Sequence, residues 1–206
     1  MKKQITLFTG LSMILLFQCQ QPSPQSVSSK NEISQDSMIA IGKYIVFTSG
    51  CDDCHSPKKM GPQGPEIIEE LRFSGYPATR PLKPIDSKNL EQGWALLNED
   101  LTTAVGPWGQ SFAANITSDV TGIGEWTEEN FITVMRKGKY KGIESNRPIL
   151  PPMPWFNIGQ KTDFDLKAMF AYLKSTKPVS NIVPAPIPLD SILSASPKSN
   201  TKRPLK

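Results

Sequence analysis

The chain has 206 residues, with 23 lysines and arginines, 19 aspartates and glutamates, 19 prolines, three cysteines and a single histidine. One histidine excludes metal sites that need two imidazoles, including the His-Glu-x-x-His sites of zinc proteases. The near balance of charge argues against nucleic acid as a partner, and the length predicts one domain with appendages and much irregular chain.

Residues 1–19 have the composition of an export signal. Two lysines precede an apolar run over 5–17, which is too short to span a bilayer. Cys19 closes this run, and the stretch resembles a bacterial lipoprotein signal, in which the cysteine is lipidated. The resemblance implies an exported protein, on the periplasmic side and anchored to a membrane through Cys19. Ordinary export with a spare cysteine is the alternative.

The rest of the chain divides into three parts by composition. Residues 20–35 are rich in Gln, Ser and Pro without periodicity, which predicts a flexible tether. Residues 36–180 hold the periodic segments and predict the folded domain. Residues 181–206 are Pro-rich and basic, and predict a tail that buries too little apolar surface to order itself. Its first part, 182–193, can still lie against the domain.

Three helices are predicted inside the domain, each with apolar residues at helical spacing. The first spans 37–48 and is stopped by Gly50, the second lies between Thr127 as N-cap and Gly138, and the third follows Thr162 as N-cap and ends before Pro178. The stretch 56–125 is dense in Gly and Pro and predicts no strand. Such a long irregular stretch is credible where a buried cofactor organises the core.

Cys51, Cys54 and His55 form a C-x-x-C-H motif, the signature of covalent c-type haem attachment. On a helical turn, positions i, i+3 and i+4 share one face, so both thiols and the imidazole point the same way. The thiols can add to the two vinyl groups of a haem, with His55 beneath the iron as proximal ligand. One motif predicts one haem c. Asp52 and Asp53, between the cysteines, are predicted to face solvent.

Other uses of the motif fit the sequence less well. A zinc site needs about four ligands, and the chain has neither a second cysteine pair nor another histidine. A thioredoxin-type dithiol needs a βαβ context, which the flanking sequence lacks. A disulfide across two residues would be strained. The motif therefore favours haem.

The second axial ligand must be a residue other than histidine, and a methionine thioether is the usual soft alternative. Met153 is favoured because prolines on both sides, in Leu-Pro-Pro-Met-Pro-Trp, stiffen its loop before any ligand binds. The other methionines of the folded part are Met38, Met60, Met135 and Met169. Three of these lie on predicted helix faces, where core packing is the commoner use, and the fourth follows His55 too closely. The alternative for Met153 is a hydrophobic anchor of its loop.

Gly42 in the first helix, the haem motif, the Met153 loop and Tyr172 in the last helix together resemble class I cytochromes c. In that family a glycine of the first helix lets an aromatic residue of the last helix pack closely, so the resemblance implies that Gly42 faces Tyr172. It also implies an all-α cytochrome c fold, with a few helices around one covalent haem and long Gly/Pro-rich loops.

Further segments are similar to mono-haem bacterial cytochromes and to the cytochrome subunits of membrane-bound alcohol and aldehyde dehydrogenases. They are 74–77, 106–109, 115–119 and 121–126. Those dehydrogenase subunits carry several haem motifs, whereas this chain has one. The resemblance covers residues 38–185 and implies redox proteins as partners.

Aromatic and basic residues outside the motif complete the predicted site. Trp108 and Trp155, like Trp94 and Trp126, are predicted to wall the haem or fill the core. Arg147, just before the Met153 loop, is predicted to pair with a haem propionate, because a guanidinium matches a carboxylate bidentately.

The sequence as a whole predicts a carrier of single electrons between periplasmic or membrane redox partners, with iron bound by His55 and Met153. No second catalytic constellation is visible, so an electron carrier is favoured over an enzyme. Two alternatives stay open: an electron-transfer subunit of a dehydrogenase complex, and a haem enzyme or sensor with an open sixth site if Met153 does not bind iron.

Overall fold

Side chains cap the three longer helices at the ends where backbone N–H groups would otherwise lack partners. The structure is a computed structural model that describes residues 33–195. Ser34 accepts a hydrogen bond from the backbone N–H of Ser37, and reciprocal capping boxes begin the two later helices. The three predicted helices are confirmed, the first beginning two residues earlier than predicted.

The elements are short, and most of the chain between the longer helices is irregular. The helices are α1 (Gln35–Thr48), α2 (Cys51–His55), α3 (Ser87–Glu91), α4 (Glu128–Lys137), α5 (Trp155–Ile158), α6 (Asp163–Lys174) and α7 (Leu189–Ala195). The strands are β1 (Lys58–Gly61), β2 (Gly64–Ile67), β3 (Leu96–Leu97), β4 (Thr103–Gly106) and β5 (Gly109–Phe112). Two 3-10 turns cover Glu69–Leu71 and Tyr140–Gly142.

Two small antiparallel sheets correct the all-α expectation. The strands β1 and β2 pair as a hairpin, and β3, β4 and β5 form a second sheet in that order. All five lie in the stretch 56–125 for which no strand was predicted. The strands have at most four residues and show no alternation of buried and exposed side chains, so the period-2 pattern is missing. Glycine pairs close both hairpins, Gly61 with Gly64 and Gly106 with Gly109.

The crossing of α1 and α6 forms the centre of the core. A Cβ placed on Gly42 would overlap the carbonyl group of Ala168 and lie 2.9 Å from the Cβ of Tyr172. Only glycine permits this close approach, so the expected contact of Gly42 with Tyr172 is confirmed. The cluster around the crossing includes Val46, Phe73, Leu166 and Met169 among its fully buried members.

The segment after α6 runs back along the domain. Ile187 pairs with Gln110 of β5 through two backbone hydrogen bonds of 2.8 and 3.0 Å. Further along, α7 buries Ile192. These residues belong to the stretch 181–206 that was predicted as a tail.

No helix within residues 33–195 has the length and apolar character needed to cross a bilayer. The predicted signal 1–19 with Cys19, most of the predicted tether, and the end of the predicted tail after residue 195 lie outside the described residues.

Candidate functional site

The three residues of the haem motif lie on a single helical turn. Gly50 adopts a left-handed conformation with φ of 68°, which ends α1 and begins α2 at Cys51. Cys51, Cys54 and His55 are each half-buried on this turn, and the two cysteines are free thiols. The spacing i, i+3 and i+4 therefore brings both thiols and the imidazole to one side of α2, as predicted.

The imidazole of His55 is oriented by a backbone carbonyl. Its Nδ1 lies 2.7 Å from the oxygen of Ala114. Because a carbonyl oxygen can only accept, Nδ1 carries the hydrogen, and Nε2 presents its lone pair. Burial lowers the pKa of His55, which favours the neutral ring. A neutral imidazole held by a hydrogen bond at one nitrogen is the usual form of a metal-ligating histidine.

Burial raises the pKa of both thiols of the motif. Burial, together with the neighbouring charge of Asp52, raises the pKa of Cys51 to about 12. Burial also raises the pKa of Cys54. Redox-active dithiols and thiolate nucleophiles have a lowered pKa, so the raised pKa values count against thioredoxin-like chemistry at the motif.

The prediction that Asp52 faces solvent is wrong. Its side chain is buried, lies 2.5 Å from a guanidinium nitrogen of Arg72, and accepts a hydrogen bond of 2.5 Å from Ser56. A buried carboxylate needs such partners, and Arg72 stands 20 residues away where no local pattern reveals it. Asp53 is exposed, as predicted.

The segment that carries the Ala114 carbonyl is itself tied to α2. The N–H of Gly75 donates to the carbonyl of His55 at 2.8 Å, and the next residue, Tyr76, donates to the carbonyl of Ala113 at 3.0 Å. Gly75 and Tyr76 thus hold both the backbone of His55 and the segment 113–114 that orients its ring.

Two asparagines that no sequence motif singled out lock this arrangement. Asn115 is buried and donates to the carbonyl of Val179 at 2.8 Å. Asn181 donates to the carbonyls of Ser74 and Tyr76 at 2.7 and 2.9 Å. The segment 179–181, called here the C-terminal strap, therefore binds both segments that contact His55, the one around Gly75 and the one around Ala114. Asn115 lies in the segment 115–119, and the similarity of that segment to bacterial cytochromes was the one sequence feature that pointed to it.

The Met153 loop is fastened to β5. The hydroxyl of Ser111 donates to the carbonyl of Pro151 at 2.6 Å, and the indole N–H of Trp108 donates to that hydroxyl at 3.2 Å. The 151–152 peptide is cis. Trp108 thus reaches the loop through Ser111, so the structure brings two of the predicted site residues to one place.

Trp155 holds the other end of the same loop. Its ring covers Gly138, which ends α4 in a left-handed conformation with φ of 60°. Met153 and Cys51 both pack against the core cluster that α1 and α6 build. The charge of Lys161, just after α5, acts on the Cys51 thiol. The loop and the haem motif therefore border one apolar region.

The remaining predicted residues differ in their exposure. Arg147 is exposed, stacks on the ring of Tyr140 at 4.2 Å and donates to the carbonyl of Pro148 at 2.9 Å. Trp126 packs against the core, whereas Trp94 is 62 % exposed. Among the other methionines, Met135 and Met169 are buried in the core and Met60 is 68 % exposed.

The donor set fits a covalently attached haem better than a bare metal ion. Among the described residues, no group of three or more His, Cys, Asp or Glu side chains converges where it could hold a metal. What the site offers is one oriented imidazole, two free thiols on the same helical turn, and a methionine on the same apolar cluster. These are the groups that bind a haem through two thioethers and a histidine.

Known proteins with similar sequences are components of dehydrogenases. A nicotinate dehydrogenase component from Pseudomonas putida is 36 % identical over 80 residues, which are 38 % of this chain and 6 % of that protein. The gluconate 2-dehydrogenase cytochrome c subunit of Pantoea cypripedii is 24 % identical over 140 residues, 68 % of this chain and 23 % of the relative. The alcohol dehydrogenase (quinone) cytochrome c subunit of Gluconobacter oxydans is 36 % identical over 76 residues, 36 % of this chain and 15 % of the relative.

The chain spans less than a quarter of the length of each of these relatives. No family model matches it. Two of the three relatives are by name cytochrome c subunits of dehydrogenases. In sequence, the chain is thus similar to proteins named as cytochrome c subunits of dehydrogenases.

Proposed function

We propose that the protein is an exported mono-haem c-type cytochrome that passes single electrons between redox proteins. The observation that carries this proposal is the arrangement on α2, where both thiols of the C-x-x-C-H turn accompany a histidine whose Nδ1 is bound by the Ala114 carbonyl. Haem, when bound there, supplies the one-electron couple of its iron.

His55 would hold the iron through Nε2. The hydrogen bond to Ala114 fixes the tautomer and the ring plane, and the lowered pKa of His55 favours the neutral ring. The support of Ala114 by the loop after the motif and by the C-terminal strap gives this ligand little freedom to move. A ligand that stays in place in both oxidation states keeps the reorganisation on electron transfer small.

Met153 would supply a second protein ligand to the iron. Support comes from its packing on the cluster that also contacts Cys51, and from the fastening of its loop by Ser111 and by the Trp155 ring on Gly138. Trp108 and Trp155 would wall this side of the haem. A thioether ligand raises the reduction potential relative to a second imidazole.

The partner proposed as electron donor is a dehydrogenase. This follows from the relatives, which are components of nicotinate, gluconate and alcohol dehydrogenases. In that setting the chain would accept electrons from a catalytic subunit and would not itself transform the substrate. Export and a lipid anchor at Cys19 complete the proposal and rest on the composition of residues 1–19.

Visible spectroscopy of the purified holoprotein, oxidised, reduced and reduced with carbon monoxide, tests this function. A six-coordinate carrier shows reduced c-type bands that carbon monoxide leaves unchanged. A spectrum without haem bands contradicts the cytochrome assignment. A shift on adding carbon monoxide identifies an open or weakly held sixth site and favours a haem enzyme or sensor over a carrier.

A further inference from the structure

The ammonium group of Lys58 lies among four backbone carbonyl oxygens. Its Nζ is 2.8 Å from the carbonyl oxygens of both Asp53 and Ser56, 3.1 Å from that of Asp52 and 3.2 Å from that of Asp100. Three of these carbonyls belong to the haem-motif turn or follow it directly, and the fourth belongs to the connection between β3 and β4. We call this set the carbonyl cage.

A cation is the natural occupant of this position. The last carbonyls of a helix have no partners inside the helix and carry its negative partial charge. The helix α2 has only five residues, so most of its carbonyls are of this kind. An ammonium has three N–H donors and no acceptor, and it satisfies several carbonyls at once.

Asp100 fixes the far side of the cage. Its carboxylate is 2 % exposed, lies 2.7 Å from Arg80 and accepts hydrogen bonds of 2.6 Å from both Asn98 and Thr102. It also accepts the backbone N–H of Lys58 at 3.3 Å. Lys58 therefore ties the haem-motif turn to the three-stranded sheet at a point that is itself held by several hydrogen bonds.

The carboxylates of Asp52 and Asp100, which lie beside Lys58, each pair with an arginine. Asp52 is paired with Arg72 at 2.5 Å, and Asp100 is paired with Arg80 at 2.7 Å. The four cage partners of Lys58 are neutral carbonyls. Lys59, the next residue, is exposed and makes none of these contacts.

We propose that Lys58 is a positioning residue that fixes the C-terminal end of the haem-motif turn, and that its positive charge raises the reduction potential of the haem. The proposal rests on the proposed function, because it concerns the potential of a haem that His55 would hold. A nearby positive charge disfavours the extra positive charge of ferric iron, and it therefore favours the reduced state.

Redox titration of three holoprotein variants tests the effect on potential. Lys58→Met and Lys59→Met each remove one positive charge from adjacent positions, and Lys58→Arg keeps the charge while replacing the compact ammonium. Lys58→Met should shift the one-electron equilibrium with a fixed mediator about tenfold towards the oxidised form, or ~59 mV to lower potential. Lys59→Met and Lys58→Arg should each shift it by less than a third of that. Equal shifts in Lys58→Met and Lys59→Met would overturn the proposal.

Competitive acylation of the wild-type protein tests the cage without any variant. With an amine-reactive ester, the folded protein should label Lys58 at least about tenfold more slowly than Lys59, because all three N–H donors of Lys58 are engaged. The two rates should converge in the unfolded chain. Equal labelling in the folded protein would overturn the proposal even if Lys58→Met failed to mature. A wild-type protein without haem bands would contradict the proposed function instead, and the labelling would still report on the cage.

Discussion

The Nδ1 atom of His55 lies 2.7 Å from the carbonyl oxygen of Ala114, 59 residues further along the chain. The haem-motif turn supplies the histidine, but the segment around Ala114 determines which ring nitrogen is left free to bind a metal. That segment is held by Asn115, whose side chain reaches Val179 of the C-terminal strap. The orientation of the His55 ring thus depends on three distant parts of the sequence.

Asn115→Ala should destabilise the protein by ~2 kcal/mol. The substitution removes the hydrogen bonds to Thr121 and to the carbonyl of Val179, and it leaves buried polar groups without partners. Urea unfolding followed by circular dichroism measures this. Asn89→Ala, at an exposed position of α3, is the control and should stay within about 0.5 kcal/mol of wild type. A loss in Asn115→Ala no larger than in the control would contradict the role given to the C-terminal strap.

Met153→Ala should abolish the iron–sulfur charge-transfer band of the oxidised protein, lower its reduction potential and allow carbon monoxide to bind the reduced form, because the variant lacks the proposed thioether ligand. Met60→Ala is the matched control, since Met60 is 68 % exposed. Retention of the band in Met153→Ala would transfer the ligand role to another methionine.

Gly42→Ala should destabilise the protein by ~2 kcal/mol or more, although alanine is the better helix former. The added methyl group would overlap the carbonyl of Ala168 and force α1 and α6 apart. Thermal unfolding of the holoprotein measures the effect. Ala40→Gly, at an exposed position of the same helix, should cost only about 1 kcal/mol. A Gly42→Ala variant as stable as wild type would contradict the close helix crossing.

The stability of the folded protein should fall at low pH because of Asp100. Burial alone would raise its pKa, but hydrogen bonds from Arg80 and Thr102 and the charge of Arg80 outweigh burial and lower the pKa to about 2. A carboxylate with a lowered pKa stabilises the folded state at pH values above 3.8, the pKa of the unfolded state. That stabilisation is lost as the pH falls through about 2. The contribution at neutral pH is ~2 kcal/mol.

Urea unfolding at a series of pH values measures this contribution. Asp100→Asn should flatten the fall in stability between pH about 4 and about 2, because the titrating group is gone. Asp36→Asn removes the same charge from an exposed position and should keep the wild-type slope. Identical slopes in wild type and Asp100→Asn would show that the buried pair with Arg80 is not the titrating element.

Cys19→Ser should move the protein from the membrane fraction to the soluble periplasmic fraction, because the thiol is the proposed site of lipidation. Cell fractionation followed by immunoblotting measures the distribution. An unchanged membrane fraction would refute lipidation as the anchor. The serine side chain differs from cysteine by one atom, so export itself should proceed as in wild type.

Local signals in the sequence were enough to predict α1, α4 and α6. Thr127 and Thr162 begin their helices with capping boxes, and Gly138 ends α4 in the left-handed conformation that glycine favours. The haem motif was equally local, because its chemistry follows from positions i, i+3 and i+4 on one turn.

Local patterns could not predict several features that depend on distant partners. The strands β1 and β2 have four residues and no alternating pattern, so only their pairing identifies them. The burial of Asp52 depends on Arg72, and the orientation of His55 depends on Ala114. In each case the decisive contact joins residues that are at least 20 positions apart or lack a periodic signature.

The most direct test of the central claim is whether the haem is covalently bound through Cys51 and Cys54. The purified protein should be treated with acidified acetone, and the haem in the extract compared with that left on the polypeptide. All the haem should remain with the wild-type chain, and a variant that carries both Cys51→Ser and Cys54→Ser should retain none of it. Release of the haem from the wild-type protein into the acetone would contradict the assignment.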